Sequence, residues 1–442
     1  MIIKITSEYI DIIMKKSTNR RHIIHSRNES DNPKYPDQFF INDGLTIRNS
    51  RSETSRNDIG PTESRLNFVK NVLNGDLLQP MVDFNNTSTE KINLRLNKKV
   101  IDARLLFNSM NLKLEYLQSG STGHTFKATS REDPNVSFAI KVCAYPKDDE
   151  YGSINNLRRP ENAELRMLKL LSKFVVEFST PHLALPIGSF NTSITHFINV
   201  PKNIIDLSRE KNGHYRDFIA AYHNGEFEDF VSVLISEWCN GGDLLDYIMK
   251  NYKKMTVKIW TVIIFHVLFT LALIHEHFPA FRHNDLKSNN ILVEKTEHIT
   301  NDPNVRYRYN MDNYKFVIPN IDIQMKIWDF DFACIDKIIP NNKVDSDWTK
   351  GIGISREKNQ YYDMHYFLNT LINPKFFPHC NRGGMPQEII DFIHRVIPPQ
   401  YRNGKYVSKK GRMLCNYEYT TPKKVIFRDQ LFEKYRFRDV NS

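Results

Sequence analysis

The sequence contains little cysteine, and the cysteines it has are scattered. Five occur in 442 residues, and no two of them form a C-x-x-C pair. An odd, dispersed set argues against a disulfide framework and against a cysteine-ligated zinc site. We therefore expect a protein of a reducing, intracellular compartment. The five are Cys143, Cys239, Cys334, Cys380 and Cys415.

The sequence also lacks a secretory signal and a long apolar span. The opening run Met1–Ile5 is short, and no small-residue cleavage site follows it. The most apolar stretch, Ile259–Ile274, contains His266, is flanked by charge and is short for a helix that crosses a bilayer. The sequence predicts a buried helix at this stretch and a protein that is not secreted.

The overall composition is that of a globular protein with a basic C-terminal segment. Hydrophobic residues make up 40% of the chain and charged residues 25%. The formal net charge is +10, and residues 401–442 hold 11 Lys and Arg against 4 Asp and Glu. A solvated basic surface or a docking face for acidic partners is the favoured interpretation of this segment. Nucleic-acid binding, through its alternating basic and aromatic residues, is the open alternative.

A polar run lies between apolar stretches at residues 283–293 and reads H-N-D-L-K-S-N-N-I-L-V. The pattern H-x-D-L-K-x-x-N resembles the catalytic loop of eukaryotic-type protein kinases. Phosphoryl transfer needs a carboxylate that faces the attacking hydroxyl and an amide oxygen that holds metal on the phosphates. The resemblance gives the first role to Asp285 and the second to Asn290. It places Lys287 within reach of the γ-phosphate.

A glycine turn precedes this loop in the chain. Residues 119–128 contain two short strands around a turn with Gly120, Ser121 and Gly123. The turn resembles the glycine-rich loop whose backbone N–H groups cover the phosphates of ATP in protein kinases. An ordinary hairpin turn is the alternative.

An apolar strand with a single lysine follows the glycine turn. Phe138–Val142 resembles the V-A-I-K strand of kinases, with Lys141 at the lysine position. A lysine in a buried strand is costly unless its charge is paired. The resemblance implies that Lys141 binds the α- and β-phosphates of ATP and pairs with a carboxylate on the next helix. Glu164 is the first choice for that carboxylate, and Glu161 is the second.

Residues 231–248 consist of an apolar strand, a short Gly-Gly linker and the start of a new helix. They resemble the hinge between the two kinase lobes, whose backbone groups hold adenine. Glu237 and Cys239 stand at the positions of those groups. Ser236 stands at the gatekeeper position.

The segment Met325–Ala333 is an apolar strand that ends in D-F-D. It resembles K-I-x-D-F-G, so Asp329 is expected to bind Mg²⁺ together with Asn290. Asp331 replaces the glycine and loses easy access to positive φ; Asp331 as the metal ligand is the alternative. Asp363 resembles a buried aspartate that hydrogen-bonds the catalytic-loop backbone, although an acid favoured by a helix N-terminus is nearly as good an interpretation.

Departures from the usual kinase pattern narrow the family. Asn284 replaces the arginine of H-R-D, no A-P-E motif is present, and residues 294–323 resemble an insertion. Together with D-F-D-F, these features resemble the virion-associated serine/threonine kinases of poxviruses and giant DNA viruses. The resemblance implies an α+β, bilobal protein-kinase-like fold with a small β-rich N-lobe and a larger helical C-lobe. It also implies ATP and Mg²⁺ as cofactors, Ser/Thr protein substrates, and a location in the virion and the host cytoplasm.

Two other functions remain open at this point. A small-molecule kinase of the choline or aminoglycoside type would also contain H-N-D-L and N-I-L, although Lys287 and the Gly-Gly-Asp hinge argue against it. A pseudokinase scaffold is the second alternative, although every acid, amide and lysine needed for transfer is present. Because Asn284 replaces the arginine, we expect activity that does not depend on phosphorylation of the activation loop.

The predicted organisation of the chain follows these motifs. It consists of a largely disordered tail at 1–65, a helical extension at 66–111, a kinase N-lobe at 112–235, a hinge and C-lobe at 236–400 with an insertion at about 294–323, and a basic C-terminal segment at 401–442.

Overall fold

The computed structural model describes residues 62–72, 78, 80–82, 84, 94–96, 98–120, 123–147, 151–200, 205–296 and 305–438. Nearly all of the predicted disordered tail lies outside these residues. The chain divides into two compact units. Among the described residues, the first unit takes 98–147 and 190–235, and the second takes 62–96, 151–189 and 236–438. The predicted domain boundaries stay a prediction.

Helices and strands are not regularly interleaved along the described chain. The helices are α1 Thr62–Val72, α2 Ala103–Ser109, α3 Pro160–Val176, α4 Thr195–Ile198, α5 Gly213–His223, α6 Leu244–Asn251, α7 Val257–His277, α8 Asn342–Asp345, α9 Asp347–Lys350, α10 Tyr362–Ile372, α11 Gln387–Val396 and α12 Pro422–Arg428. The strands are β1 Leu112–Ser119, β2 His124–Ser130, β3 Ser137–Pro146, β4 Pro186–Ser193, β5 Phe227–Glu237, β6 Phe281–Arg282, β7 Ile291–Lys295, β8 Arg306–Met311, β9 Tyr314–Pro319, β10 Ile323–Ile327, β11 Cys334–Ile335 and β12 Arg436–Arg438. This arrangement confirms the predicted α+β class, with a β-rich N-terminal part.

The first unit is built on a five-stranded sheet of order β1-β2-β3-β5-β4. β4 contributes its residues from Phe190 on, and β5 contributes its residues up to Ile235. β1 and β3 each pair antiparallel with β2. Leu112 and Leu114 are buried and alternate with less buried neighbours, which is the period of a half-buried strand. β3 is buried on both faces, as its apolar sequence requires.

A polar cluster fixes the chain that enters the first unit. The Lys98 ammonium donates to the hydroxyls of Tyr145 and Ser232, the second at 2.7 Å. Tyr145 in turn donates to Asn191 Oδ1 at 2.9 Å. The backbone of Asn191 pairs with residues 99–101, which are extended and run parallel to β4 at this point. The described part of the predicted helical extension at 66–111 therefore contains α1 from Leu66 on, α2 and this extended stretch.

Helix α7 is the centre of the second unit. Thr256 begins it by accepting the N–H of Ile259 on its side-chain oxygen at 3.4 Å. Every residue from Trp260 to His275 is buried, which confirms the predicted buried helix. Within the described ranges, α7 is the one helix long and apolar enough to cross a membrane, and most of that stretch is buried inside the protein.

The predicted insertion forms a hairpin that packs on α7. β8 and β9 pair antiparallel, and β12 adds to β9 with Arg436 opposite Phe316. His182 binds the hairpin to the unit, because its Nδ1 donates to Met325 O at 3.0 Å and its Nε2 accepts from the Tyr309 hydroxyl at 2.9 Å. The hairpin and the C-terminal segment thus form one three-stranded sheet. Part of the C-terminal segment is therefore packed structure and not only a solvated basic surface.

Candidate active site

The predicted catalytic loop is held by a buried aspartate on α10. Asp363 accepts the backbone N–H groups of His283 at 2.7 Å and Asn284 at 2.9 Å, one on each carboxylate oxygen. Burial raises the pKa of Asp363, although the nearby His283 and Arg282 and these two donors oppose the shift. The predicted contact between Asp363 and the loop backbone is confirmed.

The structure brings three predicted site residues together at the Asp285 carboxylate. Oδ2 accepts from the Lys287 ammonium at 3.0 Å and from the Asn290 amide at 3.0 Å. The same Asn290 amide donates to the Asp285 carbonyl at 2.9 Å. Oδ1 accepts from Arg412, a residue that the motifs did not predict. The side chain of Asp285 is 8% exposed, so its orientation is determined by these contacts.

The residues predicted to hold metal flank two paired strands, because Asn290 comes just before β7 and Asp329 comes two residues after the end of β10. β7 and β10 pair antiparallel, and the Trp328 N–H donates to the Asn290 carbonyl at 3.1 Å. Asp329 is therefore the next residue after one that is hydrogen-bonded to Asn290. Asp329 has φ 63° and ψ 64°, the left-handed region that aspartate tolerates better than most residues.

The donor set of this pair fits magnesium. The hydrogen bonds of the Asn290 side chain use its Nδ2 group, which leaves its oxygen as a ligand atom, and Asp329 supplies a carboxylate. The described ranges contain no group of three or more His, Cys, Asp or Glu arranged to hold a metal. Mg²⁺ is commonly bound through one or two protein carboxylates together with substrate phosphates, and the Asp329 carboxylate with the Asn290 amide oxygen fits that pattern.

Asp331 has a structural partner, which argues against its alternative role as the metal ligand. Its carboxylate accepts from the Lys343 ammonium, and both side chains are buried. The left-handed backbone conformation of this segment belongs to Asp329, and Asp331 lies in a short 3₁₀ turn, Phe330–Phe332. Asp331 therefore does not need the positive φ that a glycine at this position would allow.

The predicted glycine loop is a tight hairpin turn in the first unit. The Gly120 N–H donates to the Gly123 carbonyl at 2.8 Å, and Ser121 lies outside the described residues. A Cβ on Gly123 would lie 2.7 Å from Cys143 Sγ, so only glycine fits there. His124 follows the turn, and burial lowers its pKa to about 4.

His124 is fixed by a chain of hydroxyl groups. Its Nδ1 is hydrogen-bonded to Ser119 Oγ at 2.8 Å, and Ser119 is bonded to the Tyr116 hydroxyl at 2.7 Å. The imidazole also lies against the rings of Tyr215 and Phe218 on α5, each with centroids at 4.5 Å. These contacts hold the base of the glycine turn in one orientation.

Lys141 and Glu164 occupy buried positions in different units. Lys141 lies on β3, opposite Thr125 of β2, and is 8% exposed. Glu164 lies on α3 and is 3% exposed. Burial at both positions agrees with charges that need partners. The ion pair between them stays a prediction.

Arg65 is a second basic residue that the motifs did not predict. It extends from α1 and donates through Nε to Glu237 at 2.9 Å, and through its terminal nitrogens to Glu237, Pro181 O and Leu183 O. Burial favours the neutral carboxyl, but the Arg65 guanidinium holds the pKa of Glu237 below its usual value. The Glu237 carboxylate is thus hydrogen-bonded within the protein. Its predicted role, and that of buried Cys239, concerns backbone groups and stays a prediction.

The Gly-Gly linker lies directly on β7. The Gly241 N–H donates to the Val293 carbonyl at 2.8 Å, and the Val293 N–H donates to the Gly242 carbonyl at 2.8 Å. A Cβ on Gly241 would lie 2.6 Å from Val293 O, so the close approach requires glycine. The linker and the strand that follows the catalytic loop are therefore positioned together.

Known viral protein kinases are similar to this chain. A family model described as poxvirus serine/threonine protein kinase matches residues 242–414. A protein of Acanthamoeba polyphaga mimivirus, provisionally named a serine/threonine-protein kinase, is 59% identical over 405 residues, which are 91% of this chain and 86% of the relative. Another mimivirus protein with the same provisional name is 33% identical over 116 residues, 26% of this chain and 28% of its own.

A poxvirus protein completes the comparison. Serine/threonine-protein kinase 2 of fowlpox virus is 35% identical over 102 residues, 23% of this chain and 19% of its own. The matching part is short, whereas the 59% identical mimivirus protein aligns with most of both chains. The protein belongs to the viral serine/threonine-protein kinases that are related to the poxvirus enzymes.

Proposed function

We propose that the protein transfers the γ-phosphate of ATP to serine or threonine hydroxyls of proteins in the presence of Mg²⁺. The observation that carries this proposal is the cluster at Asp285. Its carboxylate is contacted by Lys287 and Asn290, and the loop that bears it is anchored on Asp363. A carboxylate, an amide and an ammonium group are thus held together at the spacing that phosphoryl transfer uses.

In the proposed reaction, Asp285 orients the substrate hydroxyl and accepts its proton late. The hydroxyl oxygen forms a bond to the γ-phosphorus, the bond from that phosphorus to the β–γ bridging oxygen breaks, and ADP leaves. Lys287, beside Asp285, offers positive charge to the transferred group. Asn290 and Asp329 would hold Mg²⁺, which supplies charge neutralisation on the phosphates. Positioning and electrostatics supply most of the rate enhancement.

The nucleotide would be recognised by the groups predicted for it. The backbone of the turn Gly120–Gly123 would contact the phosphates, and Lys141, held by Glu164, would bind the α- and β-phosphates. The tight packing of Gly123 on β3 supports this role, because a side chain there would block the approach of the turn to its strand.

The test is the transfer of labelled γ-phosphate from ATP with Mg²⁺ to casein, to a basic protein and to the chain itself. Label on Ser or Thr is expected for the wild type and for Asp246→Ala, a control at an exposed aspartate of α6. Asp285→Ala and Asp329→Ala should each lower the transfer rate by about 10²-fold or more, since groups acting on transition-state charge are removed.

Two results would contradict the proposal. Turnover of ATP only with an aminoalcohol or an aminoglycoside would indicate a small-molecule kinase. Binding of ATP with no transfer to any acceptor would indicate a pseudokinase scaffold.

The proposal extends to location and substrates. Packaging in the virion, action in the host cytoplasm and phosphorylation of structural proteins are supported by the viral relatives alone. Mass spectrometry of purified particles tests the location. Peptides of this chain should be present in intact virions, and phosphosites on particle proteins should disappear when Asp285→Ala replaces the wild type.

A further inference from the structure

Arg412 lies on a short hairpin in the basic C-terminal segment. Val407 and Met413 pair across the hairpin, and the Gly411 N–H donates to the Ser408 carbonyl at 2.8 Å. Gly411 has φ 85°, a conformation that favours glycine. These bonds fix the position from which the Arg412 side chain extends.

The hairpin is anchored to the body of the second unit. The Asn369 amide on α10 donates to the Gly411 carbonyl at 3.0 Å, and Met413 is fully buried. A Cβ on Gly353 would lie 1.9 Å from Met413 O, so the two backbones are in close contact. The hairpin is therefore a packed part of the structure and not a removable cover.

The guanidinium of Arg412 joins two consecutive residues of the catalytic loop. Nη1 donates to the Asn284 carbonyl and Nη2 donates to Asp285 Oδ1. The group lies over the Tyr366 ring, with 4.6 Å to the centroid, and its side chain is 12% exposed. Burial lowers its pKa, but the Asp285 charge outweighs this and raises the pKa above its ordinary value. A planar fork of this kind fixes a backbone carbonyl and a carboxylate together.

The contacts leave a defined place for one more donor. An ionised carboxylate has about four acceptor sites, two on each oxygen. Lys287 and Asn290 take both sites of Oδ2, and Arg412 takes one site of Oδ1. Counting the contacts with the described residues, one site remains, and it is on Oδ1. The direction of that site depends on Arg412.

We infer that Arg412 is a positioning residue for phosphoryl transfer, which aims the remaining acceptor site of Asp285 at the substrate hydroxyl. The inference rests on the proposed function, in which Asp285 binds that hydroxyl. It assigns to the C-terminal segment a part in the reaction, although that segment lies outside all of the kinase-like motifs.

The experiment compares Arg412→Ala and Arg412→Lys with the wild type. Lys410→Ala is the matched control, because it removes an exposed positive charge from the same hairpin. We expect kcat of Arg412→Ala to fall on the order of 10²-fold, as for a misplaced catalytic group, with the KM for ATP unchanged. Arg412→Lys should lose less, since its ammonium keeps a positive charge beside Asp285. It should still fall below the wild type, since one ammonium cannot donate in the same fork. Millimolar guanidinium should partly restore Arg412→Ala and should not restore Asp285→Ala.

The outcomes distinguish a failure of the inference from a failure of the proposed function. Absence of transfer by the wild type would overturn both. Wild-type transfer with unchanged kcat in Arg412→Ala, or a raised kcat that marks an inhibitory contact, would overturn the inference alone. If Arg412→Ala does not fold, Arg412→Lys decides the matter, and wild-type kcat in that variant would overturn the inference.

Discussion

Asp331 stands where the resemblance to kinases places a glycine, and its surroundings explain how an acidic side chain is accommodated there. Its carboxylate is paired with Lys343, whose ammonium also lies 4.2 Å from the centroid of the Phe332 ring. The Asp331 carbonyl accepts from the Asn341 amide at 2.8 Å. The backbone and the side chain of Asp331 are therefore both bound to the segment that follows them.

This pairing predicts the behaviour of Asp331→Asn. The substitution should lower the free energy of unfolding by roughly 3–5 kcal/mol, because Lys343 would stay buried without its charged partner. The dependence of transfer on Mg²⁺ concentration should not change. Urea unfolding followed by tryptophan fluorescence measures the first effect, and a Mg²⁺ titration measures the second. Asp329→Asn is the comparison. If Asp331→Asn shifted the Mg²⁺ dependence by a similar amount, Asp331 would be a metal ligand.

At the level of elements, the segment that follows Asp329 is bound to Asn284 of the catalytic loop and to Arg282, which comes just before that loop. The Asn284 amide donates to Phe332 O at 3.1 Å and accepts from the Ser355 N–H at 3.3 Å. Arg282 donates to Gly353 O at 3.1 Å and Glu357 O at 3.2 Å. Both ends of the segment are thus bound to the catalytic loop without a phosphate group.

Activity should therefore survive phosphatase treatment of the protein. Asn284→Gly should lower kcat by roughly tenfold or more, because it removes the side-chain hydrogen bonds to Phe332, Cys334 and Ser355, each worth about 1 kcal/mol or less. It keeps the left-handed backbone, φ 64°. Asn284→Ala should lose more, since alanine resists that conformation. Transfer assays before and after phosphatase treatment provide the measurement. Loss of wild-type activity on dephosphorylation would refute the expectation.

The sheet formed by β8, β9 and β12 is only partly predictable from the sequence. The composition of residues 294–323 indicated an insertion, and the hairpin within it is a local feature. Its pairing with β12 joins Phe316 to Arg436 across the whole C-terminal part of the chain. Neither strand carries a local pattern that names its partner, so this pairing could not be predicted.

On the scale of the whole molecule, separation along the chain decides which site residues could be predicted and which were missed. Asp285, Lys287 and Asn290 lie within six residues of one another, and their spacing alone predicts that they meet. Arg412 reaches Asp285 across 127 residues, and Arg65 reaches Glu237 across 172. For Arg412, the sequence offered only the surplus of basic charge in residues 401–442, which does not show which of these residues are buried. For Arg65, it offered no signal.

Buried histidines make the second unit sensitive to acid. Burial lowers the pKa of His266 and His275 to about 3 each, and that of His365 to about 4. The unfolded chain binds protons at these residues below pH 6.5, whereas the folded chain does not until pH 3 to 4. Stability is therefore present above pH 6.5 and is lost as the pH falls toward 3. Asp363, whose pKa burial raises, acts in the opposite direction.

We expect the free energy of unfolding to fall by about 2 kcal/mol per buried histidine between pH 6.5 and pH 5, because each pH unit contributes about 1.4 kcal/mol. All four tryptophans lie at or beyond residue 238, so their fluorescence in urea reports on the second unit. His266→Leu should reduce the loss of unfolding free energy between pH 6.5 and pH 5 by about 2 kcal/mol, since leucine binds no proton. The substitution breaks no hydrogen bond to the described residues, because the His266 ring stacks on His182 at 3.9 Å and its nitrogens bond to none of them.

The control for this prediction is His394→Leu, an exposed position on α11. It should change the pH dependence less than His266→Leu does, because the partial burial of His394 and the nearby Arg402 lower its pKa by less than full burial lowers that of His266. An equal change in slope for both variants would mean that the acid sensitivity arises elsewhere. A flat profile in the wild type would mean that the buried histidines are charged in the folded state, with carboxylates moving close enough to compensate them.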